Sequence, residues 1–252
     1  MPAMDYSKIA DLYDFYAQTQ IDVPFFLQHA LGCHQVLELT SGTGRLSLPL
    51  LQAHIPLSCL DNSPDMLALL RRKLLEQGLY APVYEMDASN FSLPHQFDLI
   101  IIPFNAFGEF VDPIVQERTL SVIRAHLMEG GHLICTLHNP VVRLKLIDGQ
   151  IHLRGRYALP DAQGVLFLSS WENYDPDTHL VTGAQFYELY GGNGVMRLKR
   201  CVEISFYLHS RETFEQMVHS QGFRVAALYG DYERAPFQVE TSPFMIWVLS
   251  QQ

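Results

Sequence analysis

Apolar positions in the first part of the chain alternate between short continuous runs and stretches with helical spacing. Continuous apolar runs are typical of strands covered on both faces, whereas apolar residues three and four apart indicate helices. The predicted strands are Gln35–Leu39, Leu57–Leu60, Pro82–Met86, Phe97–Ile102 and Gly131–Leu137. The predicted helices are Met4–Gln18, Val23–Ala30, Gly44–Gln52, Pro64–Gln77 and Pro113–Met128. Strands and helices that alternate in this way predict right-handed crossovers and a mostly parallel sheet.

The pattern changes after the fifth predicted strand. Aromatic-rich segments with strand-like alternation, separated by turns, predict an antiparallel sheet inserted at this point. Its predicted strands are Val165–Tyr174, Leu180–Tyr190 and Val195–Leu208. A helix, Arg211–Gln221, and two strands, Phe223–Tyr229 and Phe244–Leu249, close the chain. We therefore expect a doubly wound α/β core of seven strands from residues 1–140 and 210–252, and an inserted antiparallel β subdomain from residues 141–209.

Composition and charge indicate which classes of binding partner suit the chain. The chain has 252 residues and a formal net charge of −10, which repels nucleic acids and favours a small-molecule ligand. Neither a membrane-spanning apolar run nor a signal peptide is recognisable in the sequence. The four widely spaced cysteines indicate buried, reduced thiols and a cytoplasmic protein. The inserted sheet offers an edge strand to a second subunit, so a homodimer is one of the open oligomeric states.

The segment Val36–Arg45 combines an apolar run, an acid and two glycines ahead of a helical pattern. A strand that turns into a helix through Gly42 and Gly44 leaves backbone N–H groups open to a ligand. Acidic residues recur at the ends of the next two strands, at Asp61 and Asp87. Because ligands of open α/β sheets bind at the carboxyl ends of strands, these three sites predict a nucleoside pocket. In it, Asp61 would accept hydrogen bonds from ribose hydroxyls, and Asp87 would face an adenine amino group.

These residues carry a resemblance to class I S-adenosylmethionine-dependent methyltransferases. Val36–Arg45 resembles the first motif of that family, Leu60–Leu67 the second-strand motif, and Met86–Ala88 the third. Phe97–Ile101 and Leu127–Ile134 are similar to the fourth strand and to the entry of the fifth. The N-terminal tyrosines, the inserted sheet and the chain end resemble the small-molecule branch, with amino-sugar N-methyltransferases the nearest. The resemblance implies a Rossmann-like methyltransferase fold with an N-terminal helical lid, and S-adenosyl-L-methionine as cofactor.

The resemblance also implies roles for individual residues. Glu38 would contact the methionine amino group, Gly42 and Gly44 would admit the cofactor, and Met66 would pack near adenine. The complete predicted set of cofactor-binding residues is Tyr13, Glu38, Thr40, Ser41, Gly42, Gly44, Asp61, Asn62, Met66, Asp87, Ala88, Pro103, Phe104 and Asn105. Thr40 stands where the family usually has a glycine. Since β-branched residues disfavour positive φ, we expect ordinary backbone angles at Thr40.

Catalytic candidates lie near the predicted pocket. His138, just past the fifth strand, is a candidate general base, with a turn residue bonded to backbone as the alternative. Tyr16 is a candidate to shape the methyl channel together with Tyr13, although aromatic residues at this spacing also suit a helix core. Asn105 suits either a ligand contact or a turn cap. Glu109 and Asp231 are weaker candidates for binding a cationic amine, and the histidine spacing predicts no metal site.

Two other functions remain open at this stage. A nicotinamide-dependent oxidoreductase would share Gly42 and Asp61, but its third glycine position is occupied by Ser47. A non-catalytic chain that binds S-adenosylmethionine as a scaffold would carry the same motifs. The sequence favours methyl transfer to an amine or hydroxyl of a small molecule over both.

Overall fold

The computed structural model describes residues 4–160 and 164–252 and contains two separate β-sheets. The strands are, in chain order, Val36–Leu39 (β1), Leu57–Asp61 (β2), Val83–Glu85 (β3), Phe97–Ile102 (β4), Leu127–His138 (β5), His152–Ala158 (β6), Gly164–Asp175 (β7), Leu180–Gly191 (β8), Met196–Tyr207 (β9), Phe223–Tyr229 (β10) and Phe244–Gln251 (β11). The α-helices are Ala10–Tyr16 (α1), Val23–Ala30 (α2), Ser47–Gln52 (α3), Pro64–Glu76 (α4), Pro113–His126 (α5), Pro140–Arg143 (α6) and Arg211–Ser220 (α7).

The larger sheet confirms the predicted doubly wound fold. Its seven strands lie in the order β10-β11-β5-β4-β1-β2-β3, and β11 is inserted antiparallel between β5 and β10. All four residues of β1 are buried, and so are residues 99–102 of β4, as expected of strands covered by helices on both faces. The carboxyl ends of β1, β2, β3 and β4 therefore meet along one edge of the sheet.

Several element boundaries differ from the prediction. The helix predicted for Met4–Gln18 is divided into a 3-10 turn, Tyr6–Lys8, and α1. The break falls at Ile9, which is fully buried and has a non-helical φ of −136°. The fifth strand begins at Leu127, directly after α5, because Gly130 adopts a φ of +77° that lets the chain turn within the strand. The predicted start of α4 is confirmed, since the Ser63 hydroxyl accepts a hydrogen bond from the backbone N–H of Met66.

The inserted sheet is antiparallel, as predicted, with the order β6-β7-β8-β9. Strand β6 was missed because most of its side chains are exposed and its sequence shows no clear apolar alternation. The N-terminal segment packs on this sheet, where Ile9 and Leu12 join Leu166, Tyr187 and Val202 in one apolar cluster. The N-terminal segment, the predicted lid, is therefore attached to the insert through its apolar face, while Asp14 joins it to Lys73 of α4 and to Thr43 through polar contacts.

The burial of the cysteines and the lengths of the helices test two further predictions, namely buried thiols and the absence of a membrane-spanning segment. Cys59 and Cys135 are buried and Cys33 is half-buried, but Cys201 is exposed on β9, so the expectation of buried thiols is wrong for Cys201. The four thiols are free. Across residues 4–160 and 164–252, no helix is both long and apolar enough to span a membrane.

Candidate active site

A cavity of about 310 Å³ opens at the carboxyl ends of β1, β2, β3 and β4. It brings together most of the predicted cofactor residues. Those that line it are Tyr13, Glu38, Thr40, Ser41, Gly42, Asp61, Asn62, Met66, Asp87, Ala88, Pro103 and Phe104. Three separate sequence motifs thus converge on one space, as the parallel topology requires.

Hydrogen bonds between neighbouring strand ends fix the loop after β1. The N–H of Gly42 donates to Asp61 Oδ2 over 2.8 Å, and the N–H of Ser63 donates to Asp61 Oδ1 over 2.8 Å. Burial raises the pKa of Asp61, and these backbone hydrogen bonds oppose the shift. Gly42 has a φ of +53°, and a Cβ placed on it would meet no atom within 4 Å. The main chain at Gly42 is therefore open to a ligand.

Two predicted loop roles are corrected by the structure. Gly44 does not line this cavity, and a Cβ at its position would lie 2.4 Å from Leu70 Cδ1. Its lack of a side chain therefore allows the loop to pack on α4. The expectation of ordinary angles at Thr40 is wrong, because its φ is +58°. The Thr40 hydroxyl donates to the carbonyl of Leu39 over 2.5 Å, which partly compensates the left-handed backbone.

The cavity has an acidic wall. Glu38 is buried, accepts a hydrogen bond from Ser47 Oγ over 2.6 Å, and has its pKa raised to about 8, mainly by burial. Other carboxylates in the lining are Asp61, Asp87, Glu109 and Asp112. The Arg45 guanidinium also lines the cavity, but it is paired with the buried Asp22 at 2.5 Å. Such a lining favours a cationic ligand.

The lining fits the S-adenosylmethionine that the resemblance implies. The buried hydroxyl of Ser41 has no hydrogen-bond partner among the described residues, so a bound ligand can supply one. Gly42 offers an open backbone, and Asp61 is the acid predicted to hold a ribose. The excess of carboxylates suits a ligand that carries both a sulfonium and an ammonium group.

A second cavity of about 260 Å³ lies beside the first. The two share lining residues, namely Met4, Tyr6, Tyr13, Phe104 and Glu109. The second cavity contains the predicted catalytic residues His138 and Tyr16, and also Asn105, which was predicted to bind cofactor. Asn105 does not line the first cavity, and its Oδ1 accepts a hydrogen bond from the backbone N–H of His138 over 2.9 Å. A methyl acceptor bound here would lie next to a ligand of the first cavity, and we call this space the acceptor cavity.

His138 and Tyr16 are both uncharged in this setting. Burial, reinforced by Arg143, lowers the pKa of His138 to about 3. The imidazole ring stacks 6.4 Å from the ring of Phe244. Tyr16 accepts a hydrogen bond from the hydroxyl of Tyr187 at 3.2 Å, and burial raises the pKa of Tyr16 far above its ordinary value. Both side chains shape the acceptor cavity as neutral groups.

Glu109 occupies the junction of the two cavities. It follows β4, in a 3-10 turn preceded by Phe104 and Asn105, which both have positive φ. Its Oε1 accepts a hydrogen bond from the Tyr6 hydroxyl over 2.7 Å. Burial, together with the charge of Asp61, raises the pKa of Glu109 to about 7. Sequence reasoning ranked this residue low, although its place just after the fourth strand end was a usable signal.

Other candidates take structural roles. Asp231 Oδ1 accepts hydrogen bonds from the backbone N–H groups of Glu233 and Ala235, at 2.9 and 3.0 Å, and so stabilises a turn. Within residues 4–160 and 164–252, no cluster of three or more histidine, cysteine or acidic side chains is suited to a metal ion. Ser47 stands at the third glycine position of a nicotinamide motif and is engaged with Glu38.

Comparisons with known proteins agree with this geometry. Residues 36–131 match the family model described as a methyltransferase domain. One relative is the glycine/sarcosine N-methyltransferase of Parasynechococcus marenigrum, 25% identical over 88% of this chain and 75% of the relative. Another is the dTDP-3-amino-3,6-dideoxy-alpha-D-glucopyranose N,N-dimethyltransferase of Streptomyces fradiae, 26% identical over 53% of this chain and 54% of the relative.

A solved structure shares the whole fold. The S-adenosylmethionine-dependent methyltransferase from Clostridium acetobutylicum superposes with a TM-score of 0.81 and 18% identity, covering 98% of both chains. The strand order, the glycine loop and the matched domain lead to one conclusion. Residues 36–131 form a methyltransferase domain, and the whole chain has the fold of S-adenosylmethionine-dependent methyltransferases.

Proposed function

We propose that this enzyme transfers the methyl group of S-adenosylmethionine to the nitrogen of a small-molecule amine. The observation that carries the proposal is the Glu109 carboxylate, which lines both cavities and has a pKa of about 7. A carboxylate at this junction attracts an ammonium group to the side of the cavity that faces the cofactor. The two relatives described above are both N-methyltransferases, which supports nitrogen as the acceptor atom.

The cofactor would be held by residues of the first cavity. We assign the ribose to Asp61, the adenine edge to Asp87 and Ala88, and the methionine amino group to the region of Glu38. S-adenosylmethionine supplies an electrophilic methyl group and leaves as a neutral thioether. The task of the surrounding residues is to orient the acceptor and exclude water. Tyr6 and Tyr13 line both cavities and so cover the junction between them.

Glu109 and His138 differ in how readily each accepts a proton from the acceptor amine. An aliphatic ammonium has a pKa near that of lysine, about 10, and must lose a proton before its nitrogen lone pair can attack. Transfer of that proton to Glu109, with a pKa of about 7, is uphill by about 4 kcal/mol. Transfer to His138, with a pKa of about 3, is uphill by about 10 kcal/mol. We therefore assign proton acceptance to Glu109, while His138 and Tyr16 position the acceptor.

Methyl transfer then requires one proton transfer and one displacement. The acceptor ammonium gives one N–H proton to Glu109, and the freed lone pair forms the new N–C bond. With S-adenosylmethionine bound, the bond between the methyl carbon and sulfur would break, and its electron pair would stay on sulfur. Because only a deprotonated Glu109 accepts the proton, kcat/KM for an amine should rise with pH through about 7.

The test compares carboxylate variants over a pH series with a panel of small amines and alcohols. We expect Glu109→Gln to lower kcat/KM by about 100-fold and to remove the rise near neutral pH. Asp112→Asn is the matched control, since Asp112 lines only the first cavity and its Oδ1 caps α5 at Ile114 over 2.9 Å. Calorimetry with S-adenosylhomocysteine shows whether each variant keeps its cofactor site.

The outcomes discriminate clearly. Wild-type turnover in Glu109→Gln, or methylation confined to alcohols, contradicts the proposal. A larger loss in His138→Asn than in Glu109→Gln would restore His138 as the base. The net charge of −10 supports a small-molecule acceptor over a nucleic acid. The two-part division at residues 141–209 and a homodimer through the inserted sheet remain predictions of the sequence.

A further inference from the structure

Arg143 brings a positive charge to the acceptor cavity. It ends α6, lines the second cavity, and donates from Nη2 to Oε2 of the buried Glu172. Arg154 lies 3.8 Å from the other oxygen of Glu172 but does not line the cavity. Two guanidinium groups thus share one carboxylate. The cluster carries one surplus positive charge.

One nitrogen of this guanidinium is unsatisfied. Arg143 Nη1 is buried and has no hydrogen-bond partner among the described residues. The guanidinium lies 5.4 Å from the centre of the Phe206 ring, which restrains its orientation. A buried charged donor without an acceptor is costly, and such groups in native proteins call for a partner. Carboxylate and phosphate oxygens are the partners that guanidinium groups bind best.

The charges in the second cavity are separated. Glu109 is a carboxylate with one hydrogen bond, from Tyr6, and it lies at the junction with the cofactor cavity. Glu172 is also part of the wall, but the two arginines offset its charge. Arg143 lines the second cavity but not the first, and its charge helps to lower the pKa of His138, so the guanidinium lies on the His138 side of the cavity. The cavity therefore offers a negative group beside the cofactor and a surplus positive group farther away.

We propose that the methyl acceptor carries a carboxylate as well as an amine, and that Arg143 binds this carboxylate. The acceptor is then a small amino acid or a related aminocarboxylate. This inference rests on the proposed N-methyl transfer, because it takes the amine to lie at Glu109. A volume of about 260 Å³ is at the small end for ligand pockets, which favours an acceptor of a few heavy atoms.

The experiment uses matched acceptors with the intact enzyme and saturating S-adenosylmethionine. Glycine, β-alanine and 4-aminobutyrate are compared with methylamine, ethylamine and propylamine, which lack only the carboxylate. Aminomethylphosphonate tests whether a phosphonate replaces it. We expect at least one aminocarboxylate to exceed its amine partner in kcat/KM by about 30-fold or more, chiefly through KM. Calorimetry with S-adenosylhomocysteine present gives a second readout that needs no turnover.

Variants of the two arginines distinguish loss of the group that binds the acceptor carboxylate from loss of a contact to Glu172. Arg143→Gln should remove the preference for carboxylates, while Arg154→Gln, which also loses a contact to Glu172, should keep it. The double variant Arg143→Gln with Glu172→Gln removes the buried pair together and guards against misfolding of the single variant. It should bind aminocarboxylates as weakly as Arg143→Gln does.

The failures are distinguishable. Methylation of the amines without any carboxylate preference, or equal loss in both arginine variants, overturns this inference and leaves N-methyl transfer standing. Methylation of glycolate or 3-hydroxypropanoate in place of their amino counterparts, still dependent on Arg143, overturns N-methyl transfer and leaves the anion site standing. Absence of calorimetric binding for every carboxylate probe overturns the anion site outright.

Discussion

The two halves of the cleft are assembled in different ways. In the first cavity, the half proposed to hold the cofactor, the contact that fixes the loop joins Gly42, in the loop after β1, to Asp61, at the end of β2 and 19 residues later. In the acceptor half, Tyr6 meets Glu109 across 103 residues, and Tyr16 meets Tyr187 across 171. The first half follows from the order of parallel strands. The second depends on how the lid and the inserted sheet dock, so acceptor specificity can change without disturbing the cofactor half.

The strongest way to break the cofactor half is Asp61→Ala. Its two oxygens hold the N–H groups of Gly42 and Ser63, so the substitution loosens the loop and removes the proposed ribose contact. We expect the affinity for S-adenosylhomocysteine to fall by about 100-fold or more, since hydrogen bonds to a charged group are worth about 1.5–3 kcal/mol each. Calorimetry measures this. Asp65→Asn, an exposed acid in the first turn of α4, is the control; an affinity within threefold of wild type in Asp61→Ala contradicts the assignment.

The two glycines of the loop after β1 sharpen the comparison, because one faces the cavity and the other faces the core. Gly44→Ala should destabilise the fold by about 2 kcal/mol, since its φ is +86° and its Cβ would crowd Leu70. Gly42→Ala has no such clash and should lose less stability, but its methyl group should weaken cofactor binding. Urea unfolding and calorimetry on both variants measure the two effects. If the same variant showed the larger loss of both stability and cofactor affinity, the two glycines would not have the separate roles assigned to them.

The sequence predicted which strand ends meet at the first cavity, and the reason is physical. Strand ends of a parallel sheet lie side by side, so motifs at Gly42, Asp61 and Asp87 converge whatever the details of the loops. The exceptions concern backbone angles and packing. Thr40 adopts a positive φ that its residue type disfavours. Gly44 has to be a glycine because Leu70 of α4 packs against it, and no local sequence pattern indicates that contact. Such features are set by tertiary contacts.

The acceptor half was predicted less completely. His138 and Tyr16 do line that cavity, but the sequence favours Glu109 only weakly and contains no pattern that points to Arg143. An acid in a loop is usually exposed, whereas burial raises the pKa of Glu109 to about 7 even though the hydrogen bond from Tyr6 lowers it. The pairing of Arg143 with Glu172 depends on the inserted sheet. No spacing rule connects residues that meet through docking of two separate sheets.

The joint between the two halves should respond to acid. His209 follows β9, where the insert rejoins the core, and its ring packs against Phe107, Tyr207 and Phe214. Burial lowers the pKa of His209 from 6.5 to about 3, and neither ring nitrogen has a hydrogen-bond partner among the described residues. The unfolded chain binds the proton more readily, so stability is complete above pH 6.5 and declines as pH falls towards 3.

The measurement is the free energy of unfolding as a function of pH. At pH 5.5 we expect His209 to account for about 1 kcal/mol of the loss, which His209→Phe should abolish. His29, whose pKa is lowered to about 4, contributes a similar decline and remains as an internal reference. An unchanged pH slope in His209→Phe would assign the acid sensitivity to other groups.

The smallest effects should come from the two polar contacts that hold the lid. On α1, Asp14 binds Lys73 Nζ and Thr43 Oγ1, each at 2.6 Å, and so ties the lid to the cofactor half. Asp11 binds Arg200 of β9, with Nη2 to Oδ2 at 3.0 Å, and so ties it to the inserted sheet. Exposed ion pairs contribute at most about 1 kcal/mol, so we expect changes of about two- to fivefold. Asp14→Asn should raise the KM for S-adenosylmethionine, and Asp11→Asn should raise the KM for the acceptor, because each substitution releases the lid from a different half. Equal changes in both constants would mean that the lid moves as one body over a single, undivided cleft.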